Sequence, residues 1–117
     1  MHTLIIINDP AYGTERAFNA LRLGHALQRQ SPDNTLTVFL MGDAVVAAHK
    51  GQKTPNGYYN LEHMVGKVLR GNGRVLLCGV CLDARGYADE DMVEGSARSS
   101  MDELAEVTVQ ADRTLVF

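Results

Sequence analysis

The run Leu4-Ile5-Ile6-Ile7, closed by Asn8-Asp9-Pro10, sets the fold of this chain. Four consecutive apolar residues without polar alternation read as a strand buried on both faces, as in a parallel sheet covered by helices. Downstream, Thr14 is placed to cap a helix whose apolar stripe is Ala17, Ala20, Leu21, Gly24 and Leu27. Ser31-Pro32-Asp33-Asn34 breaks that helix, and Leu36 to Met41 reads as a second strand. Gly42-Asp43 leads into the small residues Ala44 to Ala48, a short helix with Asp43 as its cap. Lys50 to Tyr59 has no period and reads as one long loop. Asn60 then caps a helix that aligns Leu61, Met64, Val65, Val68 and Leu69, and Gly71-Asn72-Gly73 ends it in the left-handed backbone that glycine tolerates. Val75-Leu76-Leu77 is a third buried strand that runs into Cys78.

Near the C-terminus, Asp89 can start a short helix through Met92 and Val93. Ser100 and Glu103 have capping-box spacing ahead of a helix with the stripe Met101, Leu104, Ala105, Thr108 and Ala111. Thr114 to Phe117 reads as the last strand. Strands separated by helices imply parallel pairing, hence a three-layer α/β/α sandwich with a mainly parallel sheet of about four to five strands. The C-terminal ends of such strands share one edge, where open α/β sheets form their ligand sites. Asn8-Asp9, Gly42-Asp43 and Cys78, far apart in sequence, are therefore expected along one rim.

The 117 residues suit a single domain, 1–117, and a chain of this size buries roughly two-thirds of its unfolded surface without metal or disulfide staples. Hydrophobic residues make up 45% and charged residues 21%, as in ordinary globular proteins. Lys plus Arg number 11 against 14 Asp plus Glu, a formal charge of −3, which gives no support for nucleic acid or an anionic membrane as main partner. Leu4 to Ile7 is too short for a signal-peptide core or a membrane span, so a cytoplasmic location is expected.

The only two cysteines are Cys78 and Cys81, in Cys78-Gly79-Val80-Cys81-Leu82-Asp83-Ala84-Arg85-Gly86. A disulfide closing so short a loop constrains the unfolded chain little, so this spacing points to redox, sulfur or metal chemistry. Reactive sulfur needs its thiolate, which nearby positive charge and backbone N–H groups favour. Arg85 and the turn amides could supply these, while Asp83 and Asp9 would oppose them. Four readings compete: two small buried-type residues without a role, a thioredoxin-like disulfide exchanger, a zinc site, or a persulfide carrier. In the exchanger the motif opens a helix directly and a cis-proline follows, whereas Pro10, Pro32 and Pro55 all precede the cysteines here. Zinc requires four ligands, and neither a second CxxC nor a close histidine pair is present.

Four segments together span the chain and resemble the DsrE/DsrF-like family of small sulfur-transfer proteins, and most closely its YchN-like branch. They are Asn8 to Arg16, Met41-Gly42-Asp43-Ala44, Cys78 to Gly86, and Met101-Asp102-Glu103-Leu104-Ala105. The resemblance implies an α/β/α fold and a homo-oligomer, commonly a trimer or hexamer. It also implies a persulfide on the cysteine that follows a strand, with Arg-Gly several residues on, a pattern that Cys78 and Arg85-Gly86 fit. Cys81 lies outside that relay pattern and belongs to the YchN-like branch, where it could resolve a persulfide or mark a redox or metal role. The partners implied are a sulfur donor and a sulfur acceptor protein; no cofactor is called for. The alternative from another class is a non-catalytic oligomeric protein that binds a small ligand or zinc at the rim.

Other residues carry weaker signals. Asp9 could orient a ligand or accept the thiol proton, or it could satisfy loop amides. Tyr12 could pack over the rim cysteine or meet another subunit. His25, His49 and His63 lie in separate helical segments without metal-ligand spacing. Lys50 and Lys53 could draw an anion or solvate their loop. Eight of the 14 acidic residues fall between Asp83 and Glu106, through helix N-terminal preferences or as a face for a basic partner.

Overall fold

In the computed structural model, which describes residues 1–56 and 58–117, strands β1 (His2–Ile7), β2 (Thr35–Leu40), β3 (Arg74–Cys78), β4 (Ala97–Ser99) and β5 (Arg113–Val116) form one sheet. Its order is β4-β3-β2-β1-β5, and every neighbouring pair is parallel. The helices are α1 (Arg16–Gln30), α2 (Leu61–Arg70), α3 (Gly79–Ala84) and α4 (Met101–Gln110), with a 3₁₀ helix, Gly42–Ala48, after β2 and a shorter one, Asp89–Asp91, before β4. Among the described residues no helix is long and apolar enough to cross a membrane.

The two sheet faces are covered differently. Ile5, Ile7, Val38, Leu40, Val75 and Leu77 alternate onto one face and pack against α1, α2, α3 and the longer 3₁₀ helix. Leu4, Phe39 and Leu76 point the other way and meet Leu104 and Val107 of α4. Burial on both faces is why β1 lacks polar alternation: Leu4 and Ile5 are both fully buried although they face opposite layers. Each such side chain contributes about 1.5–3 kcal/mol. Strand order explains the layering. The chain steps from β1 to β4 in one direction, then returns to β5 beyond β1, and α4 makes that return on the opposite face.

Local expectations are corrected at several points. Helix α1 begins at Arg16 and has no side-chain cap; Thr14 Oγ1 accepts from the Arg16 amide at 3.3 Å and donates to Asp9 at 2.8 Å. His25 joins the buried stripe in place of the half-buried Leu27, because its ring reaches a carbonyl of α2. Asp43 lies in the first turn of its 3₁₀ helix and caps nothing; its carboxylate pairs with Arg85. Asn60 does cap α2, accepting from the His63 amide at 3.2 Å. After α2 the left-handed residue is Asn72 (φ 67°) rather than either glycine. Gly71 and Gly73 instead make room for Gln28, whose amide nitrogen would lie 2.8 and 2.9 Å from a β-carbon at those positions. The segment expected to be helical through Val93 forms only Asp89–Asp91. On α4 the buried residues are Leu104 and Val107, with Ala111 half-buried. Burying the larger valine turns Ala105 and Thr108 outward, and Thr108 bonds the Leu104 carbonyl at 2.7 Å.

Candidate functional site

Strand register brings the predicted rim together. Ile7 pairs with Leu40 and Leu40 with Leu77, so Asn8, Met41 and Cys78 follow in line along the C-terminal edge. Cys78 also pairs with Ser99 of β4. The topological switch point, between β1 and β5, lies at the Asn8 end of this edge, where the Asn8 amide donates to the Phe117 carbonyl at 2.8 Å. The cysteines sit two strands away, at the end of β3.

Cys78 is the N-cap of α3 and Cys81 its third residue, so one helical turn brings their α-carbons to 5.2 Å, and the two sulfurs are joined as a disulfide. The pair therefore opens a helix directly, which corrects the sequence-based contrast with disulfide exchangers. Both residues are half-buried, and Val80 between them is 80% exposed, so the turn lies at the surface.

Each sulfur accepts one backbone N–H. Cys78 Sγ accepts from the Cys81 amide at 3.2 Å, and Cys81 Sγ accepts from the Gly42 amide at 3.1 Å. Gly42 has φ 59°, the left-handed region that glycine enters without penalty, and this turn aims its N–H across the rim. Sequence reasoning placed Gly42 on the rim but did not connect it to Cys81; a glycine closing the neighbouring parallel strand was the available signal.

Arg85, expected to face the sulfur, donates from Nη1 to the Cys81 carbonyl at 3.0 Å and from Nη2 to Asp43 Oδ1. It ties the end of α3 to the turn after β2, while amides are the donors to sulfur. Asp9 accepts from Thr14 and lies 3.7 Å from Arg16, so its observed partners belong to its own loop and the start of α1. Tyr12 packs over neither cysteine: its hydroxyl donates to Gln52 Oε1 and accepts from the Leu61 amide at 3.0 Å. Gln52 in turn donates to the carbonyls of Val46, Ala47 and His49, at 3.1, 2.9 and 2.9 Å, and so orders the long loop beneath the 3₁₀ helix.

Arg98 is a residue the sequence did not mark. From β4 it donates to the Gly79 carbonyl (3.1 Å), Asp83 (3.0 Å) and Asp89 (2.8 Å), clamping α3 against the edge of the sheet. The two carboxylates, Asp89 first, hold its guanidinium even more firmly in the charged form. Among the described residues, no three His, Cys, Asp or Glu side chains group as a metal site.

A five-stranded parallel α/β domain with a surface cysteine pair where a strand passes into a helix defines a narrow class of protein. This chain belongs to the DsrE/DsrF-like family, which it matches over residues 1–117. It is 40% identical to Protein YchN of Escherichia coli (strain K12) over 114 residues, 97% of each chain. It is also 27% identical to the sulfurtransferase TusD of Salmonella typhi over 129 residues, covering all of both chains. The crystal structure of the ychN protein from E. coli superposes with a TM-score of 0.92 at 39% identity, over 100% of both chains.

Proposed function

We propose that this protein carries sulfur as a persulfide on Cys78 and passes it to a partner protein, with Cys81 able to resolve the persulfide. The observation that carries the reading is the cysteine pair at the strand end, within bonding distance and with a backbone N–H on each sulfur. The family, and the name of the sulfurtransferase relative, support sulfur transfer as its chemistry.

Starting from the dithiol, the Cys78 thiolate attacks the outer sulfur of a donor persulfide. A new S–S bond forms on Cys78, the donor's S–S bond breaks, and the donor leaves as its thiolate. An acceptor thiolate then takes the outer sulfur and returns Cys78 to a thiolate. In the resolving branch, the Cys81 thiolate attacks Cys78 Sγ instead and expels hydrosulfide. That branch leaves the disulfide seen here, and a thiol reductant must restore the dithiol. Amide donors at the sulfurs favour each anionic form. Arg85 acts as a positioning residue, holding the Gly42–Asp43 turn against α3, and Asp9 shapes the adjoining loop. A reducing, cytoplasmic setting suits this cycle.

The second reading is thiol–disulfide exchange, favoured by the disulfide at the start of α3. Assembly into a trimer or hexamer completes the proposal. Met101, Val109 and Val116 are 62%, 86% and 65% exposed on and beside the single helix covering the second sheet face, an apolar surface suited to further copies.

The test is intact mass after reduced protein meets a persulfide donor, for wild type, Cys78→Ser and Cys81→Ser. A reducible gain of one sulfur in Cys81→Ser, absent in Cys78→Ser, is expected, with hydrosulfide release from wild type alone. No gain in any variant whose thiols alkylate freely would refute the carrier reading, and turnover of a disulfide substrate would then establish exchange.

A further inference from the structure

Helices α1 and α2 lie side by side on one sheet face and run the same way. His25 Nε2 lies 2.9 Å from the Met64 carbonyl, an acceptor, so that nitrogen carries the proton; Gln28 donates to the Val68 carbonyl at 3.0 Å. Along their outer seam runs a groove of about 690 Å³. Arg22 and Arg29 line it from α1, and His63, Lys67 and Arg70 from α2. The spacings are seven residues on α1, and four then three on α2, so each set stays on one helical face.

Among the described residues this concentration of charge has no acidic partner; Arg22 meets only Asn19 Oδ1, at 3.1 Å, and the face of Phe18, whose ring also stacks on Tyr59. Among the described residues, the ion pairs of this chain use Arg16, Arg74, Arg85 and Arg98, and none of the four groove cations. No carboxylate is among the groove's described lining residues. Burial holds the His25 imidazole below its ordinary value against the bond to Met64 that raises it, and nearby Lys67, Arg29 and Arg70 push it further down. The helix dipole accounts for cations in last turns, where Arg29, Lys67 and Arg70 lie, but not for Arg22 in mid-helix or for the missing carboxylates.

The shape of the charge selects the ligand. Outside the groove, the seven other Lys and Arg residues are set against 14 Asp and Glu. A nucleic-acid strand or an acidic protein face would extend beyond these four cations over a chain of net charge −3, whereas a compact anion would not. Inorganic phosphate would leave the groove's apolar wall of Leu23, Ala26 and Met64 uncovered. The volume falls within the roughly 300–1,000 Å³ of small-molecule sites.

We infer that the α1–α2 groove binds a nucleoside di- or triphosphate, with the phosphates on Arg29, Lys67 and Arg70 and the base against Leu23, Ala26 and Met64 beside Arg22. The site is separate from the cysteines and does not rest on the sulfur-carrier reading.

Calorimetric titration with ADP tests it, alongside adenosine and pyrophosphate, on wild type, Cys78→Ser, Arg29→Glu and Lys67→Glu. Saturable ADP binding near one per chain is expected, tighter than either fragment and weakening with salt. Each charge reversal should cost about tenfold or more in affinity, with circular dichroism unchanged, while Cys78→Ser binds like wild type. Should a reversal unfold the chain, Lys67→Gln should still lose about three- to tenfold. Absence of ADP binding to wild type, or binding that survives both reversals, overturns the inference. Pyrophosphate binding as tightly as ADP overturns the assignment of the base to the apolar wall.

Discussion

Replacing Gly79 by alanine probes how the cysteine helix is seated. A β-carbon there would lie 3.1 Å from Arg98 Cγ, from Arg98 Nη1 and from the Ser99 carbonyl oxygen. Neither obstacle yields easily. The Arg98 guanidinium is held by three hydrogen bonds, and Ser99 belongs to the backbone of β4. Overpacking of this kind costs about 1–3 kcal/mol. Against it stands the helix preference of alanine over glycine, at most about 1 kcal/mol and less at a first helical position. The net expectation is a loss of about 0.5–2 kcal/mol. In an Arg98→Ala background two of the three close contacts disappear, so the same substitution should cost less, with a coupling of about 0.5 kcal/mol or more. The assay is urea unfolding of wild type, both single variants and the double variant, all held as dithiols so that cysteine redox state does not enter. Equal costs of Gly79→Ala in the two backgrounds would refute the clamp. If the clamp holds, Gly79→Ala should also slow sulfur uptake by Cys78, because α3 carries Cys81 against the Gly42 amide.

Three further outcomes are expected. His25 is held below its ordinary pKa of 6.5, first by burial, so the unfolded chain takes up a proton that the folded chain refuses. This contribution to stability is complete above about pH 6.5 and declines as pH falls through that value toward the folded pKa, by at most about 1.4 kcal/mol per unit. His25→Gln should remove that slope from unfolding midpoints measured between about pH 7.5 and 5.5. Asn60→Ala deletes the α2 cap and the bond from Nδ2 to the Gln52 carbonyl (3.0 Å), costing about 0.5–2 kcal/mol in thermal or urea unfolding. Tyr12→Phe leaves the Leu61 amide without its acceptor and should speed hydrogen exchange there, with a stability loss of about 1 kcal/mol.

What the sequence made legible follows from local periodicity. Leu4 to Ile7 announced a two-sided strand, Asn60 a cap, and the strand ends a shared rim, because each is a property of a few consecutive residues. Ala97–Ser99 was invisible: Ala-Arg-Ser has no strand signature, and this edge strand forms because Leu76, Leu77 and Cys78 offer it a partner. The α4 stripe was misplaced because alanine and threonine satisfy helical spacing as well as valine does, and the sheet face chose the larger side chain.

The candidate site divides along the same line. Cys78 and Cys81 are one helical turn apart, so their proximity was local and readable. The donor to Cys81 Sγ comes from Gly42, 39 residues earlier, and the clamp on Gly79 comes from Arg98, 19 residues later. Both contacts are products of parallel register: Leu40 opposite Leu77 sets Gly42 beside α3, and Cys78 opposite Ser99 sets Arg98 beneath Gly79. A one-residue slip between strands would turn every side chain of the slipped strand to the other face. The buried alternation of β2 and β3 therefore fixes the sulfur environment as firmly as the cysteines themselves. A polar substitution at Leu40 or Leu77, both in the buried cluster against which Cys78 and Cys81 pack, should disturb cysteine reactivity along with stability.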